Sequence, residues 1–450
     1  MEVTTKIDPI TFAVVRNSLL SAAREMFSVF KRTTMLPVLY ESNDFGMSIY
    51  DARLNLIAEA PGLPLFVGSL DHCIAVTLDE IGGREALAPG DVLVNNHPYL
   101  TAGHPADMVL IEPIFDGGEL LGFGALRAHM GDLGAKNLYP TDSTDIFQEG
   151  TMFPALKLYE RGELNEVILK IVRANSRIPV ETAGNILAGV GALRAGNRVM
   201  QGIVQKYGHE TYLQAVDELL DHGERIARAG IAKIPDGAYE CEDFLDDDGV
   251  RLDEPVKLRC VVTVAGTELT VDVTGTDPAQ LGPVNCPWGY TLTACRYVLK
   301  RLVTPDIPPN GGEHRVLTLV APEGTVFNPV APTACHLGWL GALRLTDMIV
   351  RALAPAIPER IPADSSGDIL EIVGLLTHPE TGRLTMFEDG SPLGHGAVQG
   401  KDGMSALHHP IQAGVQNYPA ELLETRMPVL RLRQELVQDS GGAGEFRGGL

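Results

Sequence analysis

Between residues 256 and 264 the apolar side chains fall at every second position. Val256, Leu258, Cys260, Val262 and Val264 alternate with Lys257, Arg259, Val261 and Thr263. That period is the mark of an extended strand with one face buried, and the stretch 268–273 predicts a second strand of an antiparallel meander. Upstream the spacing is helical instead. Tyr212, Val216, Leu219, Leu220 and Ile226 fall on one face of a 3.6-residue period, between a break at Gly208-His209 and the end of the pattern near Ala232. The switch comes at Ile234-Pro235-Asp236-Gly237, so helices and antiparallel strands occupy separate stretches. Such segregation predicts the α+β class.

The rest of the chain fills in that plan. Asp8-Pro9 offers a capping carboxylate and a first-turn proline ahead of Phe12, Val15, Leu19, Ala22, Met26 and Val29, which predicts a helix of about five turns. Segments 45–50 and 54–58 flank the turn Asp51-Ala52-Arg53 and read as a hairpin. Further strands are expected at 91–94, 108–115 and 120–129, the last two joined across Asp116-Gly117-Gly118. Residues 165–232 predict two or three helices, with another break at Pro179, and 291–302 and 343–354 predict two more. Beyond these lie short strand candidates and glycine turns. Asp246-Asp247-Asp248-Gly249 lacks the alternating ligands and terminal glutamate of a calcium loop, and is read as a hairpin turn.

Composition removes several classes of function. With 450 residues the chain is expected to form ~2–4 domains, and 45% hydrophobic with 21% charged residues fits a soluble folded protein. Its net charge of −22 repels a phosphate backbone, so no nucleic-acid partner is expected. Apolar runs are short and broken by proline, as at 352–357, and none approaches the ~20 residues of a membrane helix. Glu2, Lys6 and Asp8 precede an amphipathic first segment unlike a secretion signal, which predicts a cytoplasmic protein. Six cysteines (Cys73, Cys241, Cys260, Cys286, Cys295 and Cys335) are scattered without a C-x-x-C pair and are expected to be reduced and buried. No P-loop, H-E-x-x-H or G-x-S-x-G motif occurs.

The chemistry-bearing residues gather in the first third. The loop Asn95-Asn96-His97-Pro98-Tyr99-Leu100-Thr101-Ala102-Gly103-His104-Pro105-Ala106-Asp107 sets two histidines and an aspartate after a strand. Arg127-Ala128-His129-Met130-Gly131-Asp132 closes another strand with a histidine and an aspartate, and Asp44 precedes the strand at Phe45. Imidazole and carboxylate donors without thiolate suit Zn²⁺, Mn²⁺ or Fe²⁺. Each histidine taken singly fits a surface or hydrogen-bonded residue equally well, since spacing does not bring three segments together. His336, His395 and His408-His409 lack close carboxylates and are read as structural.

At these residues the sequence resembles the B-type component of the ATP-dependent hydantoinase/oxoprolinase family, which also includes caprolactamase and subunits of acetone and acetophenone carboxylases. The resemblance runs nearly end to end. It rests on Glu41-Ser42-Asn43-Asp44-Phe45, Leu87-Ala88-Pro89-Gly90-Asp91-Val92, the loop from Pro98 to Asp107, Arg127-Ala128-His129 and Ile146-Phe147-Gln148-Glu149-Gly150. Val284-Asn285-Cys286-Pro287, Ala321-Pro322-Glu323-Gly324 and the glycine-rich stretch from Asp439 to Gly449 extend it. Carried onto this chain, the resemblance implies a divalent metal, Zn²⁺ or Mn²⁺, held by Asp44, His104, Asp107 and His129. Asp132 then becomes an outer ligand or a general base. The family commonly has N-D-P-Y, G-T-H and R-A-H-H where this chain has Asn96-His97-Pro98-Tyr99, Ala102-Gly103-His104 and Arg127-Ala128-His129-Met130. All three departures lie beside the expected site, and His97 becomes a candidate extra ligand.

The resemblance further implies a hetero-oligomer. An A-type ATPase subunit would bind ATP and phosphorylate the substrate, and this chain would hydrolyse the activated cyclic amide, a hydantoin or lactam. That division of labour agrees with the missing phosphate loop. Two alternatives stay open: a subunit of an ATP-dependent ketone carboxylase, and a scaffold with a structural metal. The expected layout is an N-terminal metal-bearing catalytic region at 1–235, an antiparallel β region with a helix at 236–345 and a C-terminal mixed region at 346–450. The chain stops at Gly449-Leu450 inside a strand-like motif that usually continues, so a truncated C-terminal region is expected.

Overall fold

The computed structural model describes residues 7–365 and 367–450. Glu2 and Lys6, which entered the reading of the N-terminus, lie outside the described residues. The first helix spans Pro9–Thr33, and the Asp8 carboxylate accepts from the Ile10 and Thr11 amides at 3.2 and 2.8 Å. At 25 residues it is about seven turns rather than five. Val15, Leu19, Ala22 and Met26 are buried as expected, and the stripe then continues through Phe30 while Val29 is only half-buried. The 3.6-residue period, not a strict heptad, sets that drift.

This helix lies against a seven-stranded antiparallel sheet. Its order is Leu56–Glu59, Phe45–Asp51, Glu119–His129, Asp107–Asp116, Val92–Asn95, Leu156–Glu160, Glu163–Leu164. The expected hairpins are present. The Asp51 carboxylate accepts from the Arg53 and Asn55 amides at 2.9 and 2.8 Å, which builds the first turn. Leu54 takes a left-handed φ of 68° within that turn, so the second strand starts two residues later than its apolar run.

The central strands are covered on both faces. Met108 and Leu110 join the core with the first helix and the long helix Pro179–Tyr207, whereas Val109 and Ile111 join the core with the helix Leu70–Glu80. Alternation of side chains across the strand divides them. Gly196 of the long helix permits the close crossing with the first, because a Cβ there would lie 2.3 Å from Met26 Cγ. The helical stretch resolves into Glu166–Asn175, Pro179–Tyr207 and His209–Ile231, broken where Pro179 and Gly208 fall.

A second sheet runs Leu317–Val320, Glu268–Asp272, Val256–Ala265, Gly237–Leu245. Its last three strands form the expected antiparallel meander. Leu317–Val320 adds in parallel, Leu269 opposite Leu317, after a crossover through the helix Trp288–Val303. Four residues carry too little pattern to announce that pairing. Asp248 confirms the hairpin turn: its Oδ1 accepts from the Val250 and Arg251 amides at 2.8 and 2.6 Å. The helices Trp288–Val303 and Gly338–Ala352 share the core of this sheet. A two-stranded hairpin, Leu370–Thr377 with Leu384–Ser391, follows. The fold is therefore α+β with several sheets. All six cysteines are unpaired and buried, and no described helix is long and apolar enough to cross a membrane.

Candidate metal centre

Three strand ends set the frame of the site. Phe45, at the start of its strand, pairs with Ala128, and the Asp44 carbonyl accepts from the His129 amide at 3.2 Å. His129, the last residue of Glu119–His129, is in turn directly opposite Asp107, the first of Asp107–Asp116. Asp44, His129 and Asp107 thus form one row across neighbouring strands. The long hairpin, turned at Gly117-Gly118, reaches this pairing through a one-residue register shift between Ile114 and Phe115.

His104 comes from the loop just before that row. A turn bonds the Asp107 amide to the His104 carbonyl at 2.8 Å, and Gly103 enters it with φ of 137°. A Cβ at Gly103 would stand 3.1 Å from the Asp107 side chain and from the Tyr290 hydroxyl, so backbone and carboxylate approach closely there. The result is a convergence on one oxygen. Asp107 Oδ1 lies 3.4 Å from His104 Nε2 and 3.2 Å from His129 Nδ1.

His104, Asp107 and His129 are each at most 4% exposed, and one ligand atom from each lies within 4.8 Å of the others. Among the described residues this is the one group of three or more such donors. Two imidazoles and a carboxylate are a suitable set for Zn²⁺ or Mn²⁺, with room left for a further ligand. Asp44 lines the same cavity but is outside that three-donor group.

Electrostatics tie the row together. Burial lowers the His104 pKa to about 4 against the pull of Asp107. Burial also opposes charge on His129, yet the hydrogen bond and charge of Asp107, with Asp44 behind, push it up to about 9. Asp107 stays below the usual carboxylate range despite its own burial, because His104 and His129 face it. Asp44 rises to about 7 through burial, which outweighs the attraction of His129.

Distant segments complete the cavity. The Tyr290 hydroxyl donates to Asp107 Oδ2 at 3.0 Å, and Arg127, fully buried, places its guanidinium over the Tyr290 and Phe66 rings. Glu371 and Glu388 reach in from the C-terminal hairpin, and both carboxyls are pushed up by burial, Glu371 to about 7. Trp339 and Gln412 line the cavity beside them. The His336 ring stacks on His104 with centroids 4.3 Å apart.

Sequence spacing did not single out Tyr290, Glu371, Glu388, Trp339 or Gln412, and it set His336 aside as structural. Only the stretch around Asn285-Cys286-Pro287 pointed near them. Other expectations meet a different placement. The Asp132 carboxylate accepts from the Arg177 amide at 2.5 Å and pairs with the Arg177 guanidinium at 3.0 Å. It does not line the cavity, so its oxygens are committed to a loop anchor rather than free for a proton. His97 heads the short helix Pro98–Thr101 and is not in the donor group. His395 and His408 contact each other, while His409 faces Asp347 at 3.3 Å, all outside this cavity.

With this geometry in place, the chain can be set beside known proteins. The Hydantoinase B/oxoprolinase family model matches residues 8–450. A Pseudomonas sp. (strain NS671) protein, provisionally named as the B-type component of a D-/L-hydantoinase, is 32% identical, with 99% of this chain and 77% of that protein aligned. The structure of ATP-dependent caprolactamase from Pseudomonas jessenii superposes with a TM-score of 0.89 at 27% identity, covering 99% of this chain and 77% of that one. The nucleotide-free structure of acetone carboxylase shares the fold, with a TM-score of 0.91 at 19% identity. There the match covers 98% of this chain and 61% of the other. The chain belongs to the hydantoinase B/oxoprolinase family.

Proposed function

We propose that this chain is the metal-dependent subunit of an ATP-dependent cyclic amide hydrolase, acting on a hydantoin or lactam that a partner A-type ATPase subunit has phosphorylated. The observation that carries the reading is the buried convergence of His104, Asp107 and His129 on one point of a cavity. Asp44, at the end of the same strand row, is the fourth ligand in this proposal. A divalent cation held there supplies Lewis acidity and lowers the pKa of water.

The protein's own groups do the rest. Tyr290 fixes the Asp107 carboxylate through its 3.0 Å hydrogen bond, so the ligand does not rotate. The hairpin carrying Glu371 and Glu388 forms one side of the cavity. With Asp132 committed to Arg177, these two carboxyls are the groups placed to hold a proton for the departing ring nitrogen. ATP is assigned to the partner because no phosphate loop occurs in the sequence, and the need for ATP fits a complex that works in the cytoplasm. The regions 1–235, 236–345 and 346–450 remain the proposed domain division.

The test uses the chain together with its partner subunit. His104→Ala and His129→Ala are expected to abolish ring opening while partner-dependent ATP hydrolysis continues at least in part. Full ring opening in both variants contradicts the reading. Label from bicarbonate appearing in the product would assign the chain to ketone carboxylation instead.

A further inference from the structure

A second cavity, of about 240 Å³, is built from two of the elements that wall the metal cavity. The short helix Pro64–Val67 gives Leu65 and Phe66 to the metal cavity and Pro64 and Val67 to the second one. The helix Trp288–Val303 likewise places Tyr290 in the first, and Arg296, Leu299 and Lys300 in the second.

The charges of this second cavity are matched, with one left over. Arg296 is held by both carboxylate oxygens of Asp71, each at 2.8 Å, and Lys300 pairs with Glu313 at 3.2 Å. His314 stays neutral, because burial and the nearby Arg296 lower its pKa to about 3. Glu59, which ends the strand Leu56–Glu59, is the remaining charged group, and among the described residues its carboxyl makes no hydrogen bond. Burial pushes it up to about 7 against the attraction of Lys300, whose ammonium is already engaged by Glu313. A carboxyl set back from bulk water without a partner calls for a physical reason. The rest of the wall limits what that reason is. Pro64, Val67, Leu299 and Pro309 are apolar, so a hydrated inorganic ion gains little from them, whereas a hydrocarbon chain does.

We propose that this second cavity binds a primary alkylammonium group, with Glu59 as its counter-ion and the apolar wall around its chain. The cyclic-amide reading supplies a source for such a cation, and that link rests on the reading while the binding does not. Opening an unsubstituted lactam frees a primary amine, whereas opening a hydantoin leaves an uncharged ureido group. The site is thus fitted to the product of the first and not of the second.

The test uses the full chain without turnover. At pH 8, where Glu59 is ionised and n-pentylamine stays protonated, calorimetry is expected to show about one n-pentylammonium bound per chain with Kd below about 1 mM. 1-Pentanol, of the same length without the charge, is expected to bind at least about tenfold more weakly. Glu59→Gln, which keeps the side-chain shape, is expected to remove that preference and leave the alcohol's affinity and the thermal transition unchanged. His104→Ala is expected to leave n-pentylammonium binding at the wild-type level, since the site is not the metal cavity. No binding to the wild type, equal affinity for amine and alcohol, or a preference that survives Glu59→Gln overturns the proposal. Displacement of the amine by an equal concentration of potassium chloride overturns it as well, in favour of a bare cation site. If n-pentylammonium binds as expected but the complex with its partner opens no lactam, the hydrolase reading fails and the ammonium site stands.

Discussion

The Tyr290 hydroxyl donates a 3.0 Å hydrogen bond to Asp107 Oδ2 across 183 positions of sequence. Tyr290 belongs to the apolar core of the second sheet, while Asp107 opens a central strand of the first. The bond therefore couples the two sheets at the carboxylate on which both histidines converge. Because Oδ2 is taken by tyrosine, Oδ1 is the oxygen turned towards His104 and His129.

Tyr290→Phe keeps the ring under the Arg127 guanidinium and removes only this donor. Metal affinity, measured by competition with a chelator, is expected to fall about 10–100-fold, with a stability change of only about 1 kcal/mol. Unchanged affinity contradicts the orienting role.

Gly103→Ala is expected to damage the site without touching a ligand. Its φ of 137° disfavours any Cβ, and that atom would press at 3.1 Å on Asp107 and on the Tyr290 hydroxyl. The expected result is a folded protein, by circular dichroism, that binds its metal at least about tenfold more weakly. Wild-type affinity in that variant shows that the turn is not needed to aim His104.

Much of this arrangement is legible in the amino-acid sequence. The capping Asp8, the Gly117-Gly118 turn and the alternation across 256–264 are local signals, and each produced the expected element. The turn alone would set Asp107 against Ala128, and the one-residue bulge between Ile114 and Phe115, which no local signal announces, brings it opposite His129. Glu371, Glu388, Trp339 and Gln412 carry no such signal: an isolated glutamate on a short strand looks solvated until a distant hairpin folds over the cavity. The placement of Asp132 was hidden for a related reason. The resemblance offered it as an outer ligand or general base, whereas the group it pairs with, Arg177, lies 45 positions away.

Asp132→Asn separates those two roles. Losing the pair with Arg177 is expected to cost about 2–4 kcal/mol of stability, read from denaturant unfolding, while metal content stays at the wild-type level. A variant of full stability that has lost turnover would return Asp132 to the chemistry.

Glu112 supplies a pH signature away from the metal. Burial pushes its carboxyl up to about 7 despite the opposing Arg194, and the Asn197 amide donates to it at 2.6 Å. Between the unfolded value of about 4.3 and about 7 the folded state binds more protons, so this group's contribution to stability falls as pH rises through that window. Glu112→Gln is expected to gain about 1–3 kcal/mol over the wild type above pH 7, and little at pH 4. Parallel stability curves for the two proteins across that range contradict the burial argument.

The most direct measurement of the central claim is elemental analysis of the purified protein alongside His104→Ala, Asp107→Ala and His129→Ala variants. The account predicts about one tightly held divalent ion per chain in the wild type, Zn²⁺ or Mn²⁺, and its loss in all three variants with the fold preserved. A wild-type protein that takes up no stoichiometric metal, or variants that keep it, would contradict the account.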